Sequence, residues 1–288
     1  MHRDTQAFGT VYLMQNPHNR QRYAVKELNN LTNDDGSTNA EAMHGLIDEV
    51  RKMGVVSSPF VVRYHTSAVF EGRFYIVMEH IDGAEFRDVV LARRAQGAQF
   101  TDAVIVSWVE QLAKGLAHLH DECKLVHQDL HNGNVMIAGV AKINGALVVN
   151  DACLRGTSVK ILDLGLAAFK SDKAHRTATC TMRTSTMRTM RLQATSKTRC
   201  SSFIQVDTND VGGFKAIRAP EMHPSVGEEI GCSDGLRGMV HFDSKVDVWA
   251  LGILLIEAAL MQPIEEQANR IFSASCCLPS DVSYVYSQ

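Results

Sequence analysis

The sequence has no C-x-x-C pair, and its seven cysteines show no recurring spacing. That argues against a zinc ribbon and against a disulfide framework, so Cys123, Cys153, Cys180, Cys200, Cys232, Cys276 and Cys277 read as reduced thiols. A long apolar run is also missing. The longest, Ala250 to Met261, is broken by Gly252 and Glu257 and is too short to cross a bilayer. Met1 to Thr10 lacks the apolar core of a signal peptide. The expectation is therefore a cytoplasmic protein with no membrane partner. Nor does one sign of charge dominate: 29 Lys and Arg face 32 Asp and Glu, for a formal net charge of −3, so no nucleic acid partner is expected. What the chain does have is 288 residues, 45% of them hydrophobic, enough for one large domain or two packed lobes.

From Val11 to Leu28, apolar residues surround the polar stretch Gln15 to Arg20, which predicts a hairpin ending in the strand Tyr23 to Leu28. A polar loop follows from Asn29 to Asn39. Met43, Ile47, Val50 and Met53 then recur at helical spacing within Ala40 to Gly54. Phe60 to Tyr64 and Phe74 to Met78 read as two more strands. Beyond Asp82 and Gly83 the pattern turns helical, with Ile105, Trp108, Val109, Leu112, Leu116 and Leu119 forming one apolar stripe. Val135 to Ala138 and Val159 to Leu162 read as strands around an irregular stretch, and Val246 to Leu260 as the last strong helix.

Residues 172–202 contain the near-repeats Thr181-Met182-Arg183, Thr186-Met187-Arg188 and Thr189-Met190-Arg191 in a basic, Ser/Thr-rich run. Such composition reads as a solvated, disordered loop, or as a docking segment for a partner or a phosphorylation segment.

A single Gly-rich turn or His-x-Asp motif is weak by itself. Here the order of several motifs carries the meaning. Phe8-Gly9-Thr10-Val11-Tyr12, Ala24-Val25-Lys26, Glu49, Met78-Glu79, the run His127 to Asn134, Asp163-Leu164-Gly165, Ala219-Pro220-Glu221 and the helix carrying Asp247, Trp249 and Gly252 follow one another. In that order they resemble the signature series of the eukaryotic-type protein kinase family. The resemblance covers roughly residues 5 to 262. It implies an α+β, two-lobed protein kinase-like fold. Residues 1–81 would form a small antiparallel β-sheet N-lobe with one helix, and residues 82–288 a mainly helical C-lobe. It also implies ATP-dependent transfer of the γ-phosphoryl group to a protein hydroxyl, with Ser/Thr favoured over Tyr. The aminoglycoside and choline phosphotransferases share a His-x-Asp-Leu-His-x-Gly-Asn loop but lack the Ala-Pro-Glu segment and the Asp/Trp helix. That small-molecule reading is the minor alternative.

Phosphoryl transfer asks a protein for positioning and charge cancellation. The resemblance assigns those tasks by position. Lys26 would hold the α- and β-phosphates, oriented by Glu49, and Asp129 would accept the substrate hydroxyl proton or fix that hydroxyl in line. Asn134 and Asp163 would hold Mg²⁺, a cation suited to oxygen ligands. Gly9 would lie over the nucleotide phosphates. Val11 and Ala24 above, Met136 below and Met78 behind would enclose the adenine, with backbone groups from Glu79 to Ile81 bonding it. Glu85 would sit at the mouth of the same site. His127 is implied to be a packing residue. Glu85 and Glu257 match positions where some members that prefer basic substrates carry acids.

Several residues depart from the pattern. Asp4 and Gln6 stand where the first two glycines of the phosphate loop belong, and a Cβ there crowds the approach to phosphate. Gln128 replaces an arginine that in many members clasps a phosphorylated activation loop. His131 replaces a lysine that neutralises the transferring phosphate, which marks it as a catalytic candidate. Gly139 to Thr157, the segment after Gly165 and Met222 to Phe242 are longer than usual. After Gln262 about 26 residues remain, so the resemblance leads to the expectation of a fragment. These departures keep a second class open, a pseudokinase or scaffold.

Overall fold

The computed structural model describes residues 10–28, 40–71, 73–170, 204–207, 218–222 and 239–264. Two asparagines turn the first described segment back on itself. Asn16 Oδ1 accepts from His18 N and Asn19 Oδ1 from Gln21 N, both at 2.9 Å, local bonds that favour a turn over a continued strand. The turn joins β1 (Thr10–Gln15) to β2 (Arg22–Leu28) and sets a register with Lys26 opposite Val11 and Ala24 opposite Leu13. With β3 (Tyr64–Phe70) and β4 (Arg73–Glu79) they make an antiparallel sheet in the order β1-β2-β4-β3.

The helix α1 (Ala40–Gly54) completes the small lobe. Its core face differs slightly from the spacing expected. Leu46 and Met53 are buried and Val50 packs beside them, whereas Ile47 is exposed. The strand expected at Phe60 to Tyr64 is also displaced. Phe60 to Val62 bond instead to the other lobe, with Ile161 N donating to Phe60 O and Val62 N to Ile161 O, each at 2.8 Å. The true strand β3 starts at Tyr64 and is mostly exposed, so alternating burial left little mark on its sequence.

The larger lobe opens with β5 (Gly83–Glu85) and α2 (Phe86–Ala95). Then comes α3 (Asp102–Ala117), continued by a π turn, His118–Glu122. Trp108, Leu112, Leu116 and Leu119 of the expected stripe are buried, and Trp108 Nε1 donates to Thr157 Oγ1 at 2.9 Å. Short strands follow: β6 (Leu125–Val126), β7 (Val135–Ala138), β8 (Lys142–Ile143) and β9 (Ala146–Leu147). Next are a one-turn α4 (Asp151–Leu154), β10 (Ser158–Ile161), β11 (Ala168–Phe169) and β12 (Ile204–Asp207). The last elements are the 3₁₀ turn Pro220–Met222, β13 (Met239–Phe242) and α5 (Lys245–Leu260).

The stretch expected to be irregular between β7 and β10 thus holds a small hairpin and α4, which Asn150 caps by accepting from Cys153 N. Arg93, 5% exposed, pins this insertion to α2 by donating to Val149 O, Gln99 O and the Asp151 carboxylate. One apolar core runs through both lobes, from Leu28, Leu46 and Ile76 to Leu112, Ile161 and Leu254. α5 is buried along one face, at Val246, Ala250, Leu254 and Ala258, while Val248 and Leu260 are exposed. No helix among the described residues is long and apolar enough to cross a membrane.

Candidate active site

Strand alternation puts Ala24 and Lys26 on the same face of β2, beneath Leu13 and Val11 of β1. That face roofs a cleft of about 380 Å³ between the lobes, a size suited to a small-molecule ligand. Val11, Ala24, Lys26, Glu49, Met78, Glu79, Ile81, Glu85, Asn134, Met136 and Asp163 all line it. Gly9 lies outside the described residues, as does the whole of the basic segment 172–202. The cleft also takes in His80, within the span Glu79 to Ile81, and residues not named for the site from the sequence: Tyr12, Leu13, Met53, Val62, Gly83, Gly133 and Leu162. Leu13 was within reach, since it shares a strand face with Val11. Val62 was not, because it enters through the displaced segment.

At the inner end, Lys26 Nζ stands 3.0 Å from Glu49 Oε1 and 3.2 Å from Asp163 Oδ2. Burial works against the Lys26 charge, but Asp163 and then Glu49 outweigh it and raise the ammonium above its ordinary value. Burial likewise opposes the Asp163 charge, but Lys26 and the Gly165 N–H hold that carboxyl below its usual value. Asp163 has φ 50°, an uncommon conformation for a non-glycine residue and one often found at functional sites. Gly165 N donates to Asp163 Oδ1 at 2.9 Å. A Cβ on Gly165 would sit 3.0 Å from that same oxygen, so a glycine suits this tight turn.

The loop after β6 is held from below. Asp247, in the first turn of α5 and 1% exposed, accepts from His127 N and Gln128 N, both at 2.8 Å, and pairs with the His120 ring at 2.7 Å. His127 is fully buried, its ring 2.8 Å from Leu162 O, which makes it a strut between this loop and the segment leading to Asp163. Gln128 takes a left-handed backbone, φ 68°.

Asp129 and His131 do not line the cleft itself; they stand beside it. Asn134 Nδ2 donates to Asp129 O at 2.8 Å and to Asp129 Oδ2 at 3.3 Å, and Leu162 N donates to Asn134 O at 2.8 Å. Through Asn134 the loop of Asp129 and the strand end of Asp163 meet. His131 Nδ1 accepts from Gly133 N at 3.1 Å, and its Nε2 lies 3.8 Å from Asp129 Oδ2. A cation also approaches from the Ala-Pro-Glu side: burial lowers the Arg218 guanidinium from its ordinary value while the nearby Asp129 charge opposes that shift. Only its place immediately before Ala219 could have drawn attention to it.

The donor set fits the groups that such a cleft would receive. Among the described residues no three His, Cys, Asp or Glu side chains form a closed metal cage. The carboxylate of Asp163 and the amide of Asn134 are hard oxygen donors that share the cleft wall, enough for a Mg²⁺ that draws its remaining ligands from water and phosphate. The apolar residues Val11, Ala24, Met78 and Met136 suit a planar base. Glu257, by contrast, faces no substrate: it is 2% exposed, and its Oε1 accepts from Asn132 Nδ2 and Ile264 N.

Comparison with known proteins agrees with this geometry. Residues 6–189 match the Protein kinase domain family. Among curated proteins the chain is similar to serine/threonine-protein kinase Nek5 of Mus musculus, 28% identical over 151 residues, which is 50% of this chain and 22% of that protein. It is also similar to mitogen-activated protein kinase kinase kinase 5 of Arabidopsis thaliana, 28% identical over 138 residues, 47% of this chain and 18% of the relative. A longer match is serine/threonine-protein kinase dst4 of Dictyostelium discoideum, 24% identical over 257 residues, 89% of this chain and 39% of that protein. The chain thus spans well under half the length of these relatives. With the motifs in order, the two lobes in place and the matched span covering more than half of the sequence, the chain belongs to the protein kinase family.

Proposed function

We propose that this chain is an active ATP-dependent protein kinase that transfers the γ-phosphoryl group to a protein hydroxyl, serine or threonine rather than tyrosine. The observation that carries the reading is the ion-paired chain from Glu49 through Lys26 to Asp163, met from the other side by Asn134 and Asp129. The names of the relatives support the Ser/Thr preference. Residues 1–81 and 82–288 are taken as the two lobes.

Bound Mg²⁺ and ATP supply the transferable phosphoryl group and the metal's share of charge neutralisation. The chain's own residues do the rest. Lys26, kept protonated by its two carboxylates, offers a fixed cation to phosphate oxygens, and Glu49 prevents it from swinging away. Asp163 and Asn134 present oxygens to the metal. Val11, Ala24, Met78 and Met136 exclude water from the base, while the backbone of Glu79 to Ile81 offers it hydrogen bonds. Asp129 Oδ receives the proton of the substrate hydroxyl or holds that hydroxyl in line. His131 and Arg218 place positive or polar groups beside Asp129, where charge changes during transfer.

Thermal unfolding in the presence of Mg²⁺ and ATP tests the nucleotide part of this reading. The wild-type chain is expected to gain several degrees at millimolar ATP with Mg²⁺, and Lys26→Met to lose most of that gain. A wild-type chain that melts at the same temperature with and without Mg²⁺ and ATP would instead favour the scaffold class, for which Asp4 and Gln6 in the phosphate loop are the supporting observation.

A further inference from the structure

The two carboxylates that α5 buries against the loop after β6 lie at its two ends. Asp247 takes the backbone N–H groups of His127 and Gln128. Glu257, about 15 Å further along the axis at 1.5 Å per residue, takes the side-chain amide of Asn132 at 2.9 Å. The same Glu257 oxygen accepts from Ile264 N at 2.8 Å. Asn132 and Glu257 are 3% and 2% exposed, so neither bond competes with bulk water. Asn132 is held by its backbone too, because Arg87 N donates to its carbonyl.

We infer that Asn132 and Glu257 form a second tether of the catalytic loop, a positioning pair that fixes Asn134 and His131 relative to Asp129. The physical reason is leverage. A hydrogen bond buried at Asn132 restrains the loop two residues from Asn134, whereas Asp247 restrains only its start. With α5 as a rigid ruler between the two carboxylates, the loop is pinned at both ends and cannot hinge about Gln128. Glu257 is thereby committed inside the protein.

The catalytic consequence rests on the phosphotransfer reading; the tether does not. Hydrogen exchange of the segment 127–136, followed by mass spectrometry on the full chain, separates the two. Asn132→Leu and Glu257→Ala are each expected to speed exchange there by about tenfold. The double variant should be no faster than Glu257→Ala alone, because that change already removes the bond that Asn132→Leu removes. Glu257→Gln, whose amide oxygen accepts the same two donors, should exchange like wild type. If Glu257→Ala does not fold, Asn132→Leu and Glu257→Gln decide. Unchanged exchange in Asn132→Leu overturns the tether, and so does acceleration shared equally by β2 and β4, which reports only global destabilisation. In wild type that transfers phosphate, Asn132→Leu is further expected to raise the Mg²⁺ concentration for half-maximal rate severalfold; an unchanged Mg²⁺ dependence overturns the positioning role. Absence of wild-type transfer with the exchange pattern intact removes the kinase reading and leaves the tether standing.

Discussion

Lys26 Nζ and Asp163 Oδ2 lie 3.2 Å apart although 137 positions separate them in the sequence. The pair joins the sheet of one lobe to the loop of the other, and its charges set how the fold responds to acid. An unfolded aspartate titrates near pH 3.9. Because folding lowers the Asp163 value, its stabilisation is fully present above about pH 4 and is lost as pH falls through the folded value. Lys26 is raised, so its share is complete below about pH 10.4 and is lost only as pH rises through the folded value.

Urea unfolding of wild type and Asp163→Asn at stepped pH checks this assignment. The stability gap between them should be constant from about pH 5 to pH 8 and should shrink below about pH 4. A gap that persists unchanged into strong acid would mean that Asp163 carries no lowered value.

Arg93 is buried with its guanidinium spread over the carbonyls of Gln99 and Val149 and the Asp151 carboxylate. Arg93→Met keeps much of the apolar stem but leaves those acceptors without their donors. The expected cost is about 3 kcal/mol, read by chemical denaturation. Protease cleavage should appear first within 139–157. Equal stability and unaltered cleavage would show that the insertion is held by Val149 and Leu154 alone.

Gln128 donates its backbone N–H to Asp247, but its side-chain amide cannot make the bidentate ion pair with phosphate that an arginine makes. Loop phosphorylation is therefore not expected to switch the protein on. Phosphatase treatment should leave the rate of phosphate transfer within about twofold, measured before and after dephosphorylation. A large loss would contradict this.

His131 is held by Gly133 N and stands near Asp129. A lysine there would place a permanent cation close to the transferring phosphate, so His131→Lys should raise kcat by up to about tenfold. Steady-state kinetics decide it. A slower variant would show that the His131 ring matters for loop shape rather than for charge.

The parts of this fold that are local were legible from residue order. The β1 to β2 hairpin and the span of α1 follow from patterns set within one turn or helix, whereas the convergence of Lys26, Glu49, Asn134 and Asp163 was implied only by the resemblance to the protein kinase family. What stayed hidden depends on partners far along the chain. Phe60 to Val62 look like a strand but bond to Ile161 in the other lobe, and β3 was obscured because its exposed face gives no apolar alternation. Glu257 matches a position where some family members that prefer basic substrates carry an acid, yet here it is buried on Asn132, a contact that no local pattern encodes. Arg218 came to Asp129 by the return of the chain after the long segment, again beyond any local signal.

The central claim is that the side chains gathered at this cleft move a phosphoryl group. Incorporation of phosphate from labelled ATP into a generic protein substrate, compared between wild type and Asp129→Ala, tests it most directly. Wild type is expected to incorporate phosphate, and Asp129→Ala to fall by about 10²- to 10⁴-fold with its melting temperature preserved. Equal incorporation by the two proteins, or none by folded wild type, would contradict it.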